Sequence, residues 1–221
     1  MKRQRALCKA ALVLVLALGM TFLCACGGGL DPQLLVQGNL DTLYLDSPSQ
    51  EYLDSISNPE EAEESYEQGL EVEAQYFASY FEIVLDSCPP DTLEQIKDLY
   101  REIYSHSKYE VGEATQSGDT YLVSVTIYPI DIMQQVMDND ADAFQADYQA
   151  KIDEGYFDDM TDEEFETWWA QAIIDMVSAR LDSIGYLEPQ TISVQVTQDD
   201  DGYYTISEND FQRIDALIIQ Y

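Results

Sequence analysis

The stretch Tyr121-Leu122-Val123-Ser124-Val125-Thr126-Ile127 decides the fold class, because its apolar side chains recur at every second position. Successive side chains of a β-strand point to opposite faces of a sheet. The alternation therefore predicts a half-buried strand that ends before Pro129. A turn-forming Gly118-Asp119 pair precedes it, so we expect a partner strand that begins near Tyr109 and closes a hairpin.

A second hairpin is predicted near the end of the chain. Ile192, Val194 and Val196 alternate, residues 199–202 have turn composition, and residues 203–206 lead back. Because a lone two-stranded hairpin is only marginally stable in water, we expect both hairpins to join in one antiparallel sheet.

Helix signals surround the hairpins. Helices are predicted to start near Asp31, Asn58, Asp91, Asp131, Thr161 and Ser207, and each of these starts except Asp131 has a capping residue or a capping–proline pair. The second helix carries an apolar stripe of Tyr66, Leu70, Phe77, Phe81 and Val84. The fifth is expected to run to Ile184 and to end at Gly185. The chain is thus predicted to be an α+β protein, with an antiparallel sheet of two hairpins packed against several helices.

Residues 91–137 and 161–219 repeat one order of elements: helix, strand, turn, strand, helix. Two related halves would explain the repeated order of elements, and so would two similar hairpins that arose by ordinary packing. The shared sheet favours a single acidic domain over residues 31–221, with a possible pseudo-repeat inside it.

The N-terminus has the order of an export signal. Residues 1–9 are basic, residues 10–23 form an apolar run too short for a comfortable bilayer span, and Leu23-Cys24-Ala25-Cys26 follows. This order resembles the lipobox signal of bacterial lipoproteins. The alternatives are an ordinary cleaved signal and an uncleaved anchor helix.

The lipobox resemblance implies a signal peptide over residues 1–25 and lipid attachment at Cys26. The thiol would carry a diacylglycerol thioether, and more than one buried acyl chain, such as palmitate, gives lasting membrane attachment. Residues 26–30 would be the lipidated cysteine and a flexible tether. The implied location is the extracytoplasmic face of a bacterial cell membrane.

A second resemblance lies within residues 35–130. Residues 99–111, which contain Lys108-Tyr109-Glu110-Val111, and the turn and strand of residues 118–127 are similar to segments of small bacterial lipoproteins of unknown function. That family implies a nuclear-transport-factor-two-like or cystatin-like domain, in which helices pack on a curved antiparallel sheet. It implies no catalytic residues.

The charge is strongly negative, with 43 acidic against 10 basic residues and a net charge of −33. All acidic residues lie at or after Asp31, whereas four basic residues precede Cys26, so the part after the predicted cleavage site has a charge of −37. A chain without a basic surface patch is a poor nucleic-acid partner.

Cys88 would be the one cysteine left after processing and lipidation. A single cysteine excludes an internal disulfide, and it favours a role for Cys88 as a small buried side chain.

Candidate chemistry is sparse. His106 is the single histidine and is expected to cap a helix end, which leaves little basis for a Ser-His-Asp or Cys-His site. Asp138, Asp140 and Asp142 match the start of a calcium loop. That loop then lacks the glycine at its sixth position and the glutamate at its twelfth. We therefore predict no metal site, no cofactor and no catalytic activity.

Trp168 and Trp169 are the possible ligand contacts. Adjacent helical residues point about 100° apart, so at most one of the two can face the core fully, and the other could stack on a sugar. The sequence favours a non-catalytic binding or scaffolding module, anchored in the membrane and meeting an unknown protein or small molecule at the envelope. The alternatives are a solute- or glycan-binding pocket module and an envelope hydrolase that uses carboxylates.

Overall fold

The computed structural model describes residues 31–118, 120–199 and 203–221. The helices are α1 (Pro32–Leu45), α2 (Gln50–Ser55), α3 (Pro59–Tyr80), α4 (Thr92–Ser105), α5 (Ile132–Asn139), α6 (Ala141–Asp153), α7 (Asp162–Ser178) and α8 (Glu208–Ile218). The strands are β1 (Lys108–Ser117), β2 (Thr120–Tyr128), β3 (Gln190–Gln198) and β4 (Tyr204–Ile206). Two short 3₁₀ helices lie at Leu85–Ser87 and Leu181–Ser183.

The sheet joins both hairpins, as predicted. Its strand order is β1-β2-β3-β4, and all neighbours are antiparallel. The central pair is β2 with β3, where Val125 lies opposite Ile192 and Val123 lies opposite Val194. Helices and an antiparallel sheet in one chain confirm the predicted α+β class.

The core lies on one face of the sheet. Val123, Val125 and Ile127 of β2 are fully buried beside Val194 and Val196 of β3, as their alternation requires. Helices α1 and α8 contact the sheet, and α3 packs against α1 and α4. The side chains that close this core therefore come from both ends of the described chain.

The ends of two helices differ from the prediction. Helix α3 ends at Tyr80, because Glu82 takes a left-handed conformation with φ of 55°, and Val84 is 44% exposed instead of continuing the stripe. Helix α7 ends at Ser178, well before Ile184. The following chain turns toward α5, where the Gly185 amide donates to Asp131 Oδ1 at 2.8 Å.

The capping predictions had mixed outcomes. Asp31 accepts a hydrogen bond from the Gln33 amide, and Thr161 and Glu164 form the expected capping box of α7. Asn58, Asp91 and Ser207 make no capping bond with their side chains, which corrects those three predictions. The Asp91 carboxylate instead accepts from the Gln95 side chain.

The predicted signal peptide (1–25), the tether (26–30) and Cys26 lie outside the described residues. Within the described ranges, none of the helices combines the length and the apolar character needed to cross a bilayer.

Candidate functional site

The basic residues of the described chain are already engaged. Lys97 and Arg101 of α4 bind Glu67 of α3, at 2.9 and 2.8 Å. Further ion pairs engage the other basic residues, as Lys151–Asp147, Arg180–Asp140 and Arg213–Asp210, and Lys108 lies 4.1 Å above the Tyr128 ring. Carboxylates elsewhere in the fold must therefore be accommodated without these cations.

Glu73 is the most unusual of these carboxylates. It lies on the apolar stripe of α3, three residues after Leu70 and four before Phe77, both of which are fully buried. Helical spacing therefore turns its side chain inward, and only 8% of it is exposed. No Lys, Arg or His of the described ranges forms an ion pair with it.

Asp215 approaches Glu73 from the other end of the chain. It follows the buried Ile214 on α8 and is itself half-buried. The Tyr44 hydroxyl, on α1, donates to Asp215 Oδ1 at 3.3 Å. Its negative charge acts on Glu73, so the two carboxyl groups form one electrostatic unit.

Tyrosines surround the two acids. We call the whole group the acid–tyrosine cluster, and its members are Glu73, Asp215, Tyr44, Tyr76, Tyr100, Tyr104 and Tyr221. The ring of Tyr104 lies 5.3 Å from that of Tyr44 and 5.8 Å from that of Tyr100, both in edge-to-face geometry. Tyr221 packs 4.9 Å from Tyr76, and its hydroxyl contacts that of Tyr100.

Burial sets the protonation of the cluster. Burial and the neighbouring Asp215 raise the pKa of Glu73 to about 8, although a hydrogen bond with Tyr104 opposes this. Burial also raises the pKa of Asp215 to about 6, against the hydrogen bond from Tyr44. The pair titrates as a unit and retains about one proton near neutral pH.

The surrounding tyrosines stay neutral. Burial, strengthened by the nearby carboxylates, raises the pKa of Tyr44, Tyr100 and Tyr104 well above the ordinary value. Their hydroxyl groups therefore keep their protons, and those of Tyr44 and Tyr104 form hydrogen bonds with Asp215 and Glu73. The cluster as a whole can hold a proton or a positive charge.

The two tryptophans occupy different environments. Trp169 is only 4% exposed, and its Nε1 donates to the Phe81 carbonyl at 2.8 Å. Trp168 is half-buried among aromatic rings, 4.7 Å from Phe157 and 6.1 Å from Tyr148. Trp168 is thus partly open to solvent, although it packs against the edge of the core.

Other residues considered from the sequence have structural neighbours. His106 ends α4, where its carbonyl accepts the Tyr186 hydroxyl at 2.8 Å. Cys88 is half-buried rather than buried, and burial raises the pKa of its thiol. Asp140 of the candidate calcium loop is bound by Arg180 Nε at 2.6 Å.

Sequence reasoning missed the acid–tyrosine cluster. One signal was available, since Tyr66, Leu70, Glu73 and Phe77 follow the helical spacing and place an acid within an apolar stripe. Its pairing with Asp215 had no local signal, because only the tertiary structure brings α3 and α8 together.

Comparison with known proteins gives one structural likeness. A crystal structure of a protein assigned as a lipoprotein (ycdA), from Bacillus subtilis subsp. subtilis str. 168, superimposes with a TM-score of 0.53 at 13% sequence identity. The match covers 85% of this chain but 55% of the other, so the chain spans about half the length of that protein. At this identity the likeness shows a shared fold. No family model matches the chain, and no curated protein matches it.

Proposed function

We propose that the chain is a bacterial lipoprotein, anchored by lipid at Cys26 to the extracytoplasmic face of the cell membrane. The order of basic, apolar and lipobox residues supports this, as does a fold shared with a protein assigned as a lipoprotein. Helices packed on one face of an antiparallel sheet also suit a nuclear-transport-factor-two-like or cystatin-like domain.

Replacement of the modified cysteine tests the anchor. Cys26→Ala should abolish incorporation of labelled palmitate in a bacterial host and should leave an unprocessed precursor. The matched control is Cys24→Ala, which should still be labelled. Labelling that persists in Cys26→Ala would contradict the proposed attachment site.

The part beyond the tether serves as a non-catalytic module that binds a small solute at the acid–tyrosine cluster. The observation that carries this proposal is Glu73, a buried carboxyl group that faces a second acid with no basic partner among the described residues. Burying a carboxyl group without a counter-charge costs free energy. A binding role accounts for the arrangement, because interactions with a bound ligand would offset the free-energy cost of burying Glu73.

A thermal-shift screen of the full-length chain in detergent tests this role. Sugars, peptides, polyamines, quaternary amines and divalent cations should be compared, and one small-molecule class should raise the midpoint of unfolding. Glu73→Gln should remove the shift, whereas Glu71→Gln, an exposed change on the same helix, should keep it. A shift that is equal in both variants would contradict binding at the cluster.

A glycan-binding role has separate support at the other aromatic site. Trp168 is half-buried, and the neighbouring Tyr156 is 50% exposed, with the two rings 6.5 Å apart. Exposed rings of this kind can stack on sugars. Trp168→Ala should then lose glycan-array binding and remain folded, while a signal that is unchanged in this variant would refute the role.

A further inference from the structure

We propose that the solute bound by the acid–tyrosine cluster is a small organic cation, and that it enters in exchange for a proton. This inference rests on the proposed binding function and names its ligand class and its regulation. It follows from the charges around Glu73, the rings that surround the acids and the side of the cluster that meets solvent.

No positive charge on the elements packed around Glu73 pairs with it, because Lys97 and Arg101 of α4 bind Glu67 and Arg213 of α8 binds Asp210. Tyr44 faces the acids from α1, and Tyr76 lies on α3 itself. Tyr100 and Tyr104 face them from α4. From the C-terminal side come Asp215 on α8 and Tyr221, which contacts Tyr100. Each of these ionisable groups is therefore an acid or a phenol, and none of them is a cation.

The rings favour an organic cation over a metal ion. The face of a tyrosine ring attracts a positive charge within about 6 Å, and this attraction grows when water is excluded. Calcium instead takes six to eight oxygen ligands. In the described ranges, no three His, Cys, Asp or Glu side chains are grouped as metal ligands. Two carboxylates inside a ring of phenols match an alkylammonium group better.

The exchange follows from the crowding of the two acids. The buried Glu73 and the half-buried Asp215 repel each other when both are ionised, so the pair retains a proton in the free protein, as the raised pKa of Glu73 indicates. When a cation enters, that proton leaves the Glu73 carboxyl group for solvent. One positive charge replaces another, so the fold holds the same net charge before and after binding.

The cluster has one side that solvent reaches. Asp215, Tyr76, Tyr80 and Tyr221 are half-buried and therefore partly open to solvent, whereas Glu73 is more deeply buried. Tyr80 packs 4.9 Å from Tyr221 and so extends the aromatic rim. A cation that approaches from this side meets ring faces and Asp215 first, and then Glu73.

Matched probes test the charge requirement. Choline and putrescine, compared with the neutral analogues 3,3-dimethylbutanol and butanediol, should be titrated into the full-length chain in detergent. We expect saturable binding of at least one cation and no binding of its neutral analogue. Equal binding of a cation and its analogue would overturn the cation assignment.

Proton release tests the exchange. In a weakly buffered salt solution at pH 7 with an indicator dye, choline binding should release about one proton per site, because choline has no proton of its own to lose. Its affinity should rise by roughly tenfold from pH 6.5 to pH 7.5. Binding with no proton release and no pH dependence would overturn the exchange.

Variants distinguish the cation inference from the proposed binding function on which it rests. Glu73→Gln should lose both choline binding and proton release with an unchanged circular dichroism spectrum, and Asp215→Asn should weaken both. Glu71→Gln should retain them. If only neutral solutes bind in a Glu73-dependent manner, the cation inference fails and the binding module stands. If no solute of any class binds, the binding module itself fails.

Discussion

At the scale of single residues, the unusual feature is an acid placed where the helix period demands an apolar side chain. Glu73 shares the inner stripe of α3 with Leu70 and Phe77 and has no basic partner in the described structure. A hydrophobic side chain there would pack without a desolvation cost. The fold therefore tolerates a local desolvation penalty at Glu73.

The penalty should appear in the pH dependence of stability. The folded-state pKa values of Glu73 and Asp215, about 8 and about 6, lie above their ordinary values, so the native state binds more protons than the unfolded state. Their stabilising contribution is complete below about pH 4 and is lost as the pH rises toward 8.

Denaturant unfolding at several pH values checks this expectation. Glu73→Gln should be more stable than the wild type at pH 8, by on the order of 3 kcal/mol, and should show a flatter pH profile. Glu71→Gln controls for the general loss of one negative charge. Parallel profiles for the wild type and Glu73→Gln would contradict a buried, proton-binding carboxyl group.

Trp169 gives a second prediction at this scale. Trp169→Phe removes the hydrogen bond to the Phe81 carbonyl and leaves that carbonyl unsatisfied, so we expect a loss of about 1–3 kcal/mol in the free energy of unfolding. Trp168→Phe is the matched control on the half-buried neighbour and should lose less. Equal losses in both variants would argue against a specific role for the Trp169 indole.

At the scale of elements, the alternating side chains of a strand were easier to interpret from the sequence than the residues at which helices end. The β2 strand could be predicted because the period of its side chains, its preceding turn and Pro129 agree. The ends of α3 and α7 could not, since Glu82 takes a left-handed conformation and Gly185 is bound by Asp131 across the fold. Likewise, Glu73 could be recognised as odd from the sequence, whereas its partner Asp215 depends on tertiary packing.

The capping box of α7 offers a test at this scale. Thr161 and Glu164 exchange hydrogen bonds at the start of the helix, so Thr161→Ala should cost about 1 kcal/mol. Thr167→Ala, an exposed change within the same helix, should have a smaller effect. Thermal unfolding followed by circular dichroism measures both, and similar midpoints for the two variants would contradict the importance of the cap.

At the scale of the whole molecule, the acidity is not neutralised internally. The six basic residues after Cys26 are few against 43 acids, and five of them already form ion pairs within the fold. If the proposed anchor is correct, an anionic leaflet should repel the folded part over about one Debye length.

Salt should therefore change the distance between the folded part and the membrane. Energy transfer from a dye on an exposed residue of α6, such as Asp147, to dyes in anionic vesicles should increase as salt is added. Vesicles of neutral lipid provide the control and should show little salt dependence. A distance that is unchanged by salt on anionic vesicles would contradict electrostatic repulsion.

The central pairing of β2 with β3 has a consequence for the order of folding. Each hairpin can close locally, but the strands that join them are separated in the chain by α5, α6 and α7. Closing so long a loop costs entropy before its contacts form, and such non-local pairing slows folding. We therefore expect the β2–β3 pairing to form late in folding, after each hairpin has acquired structure.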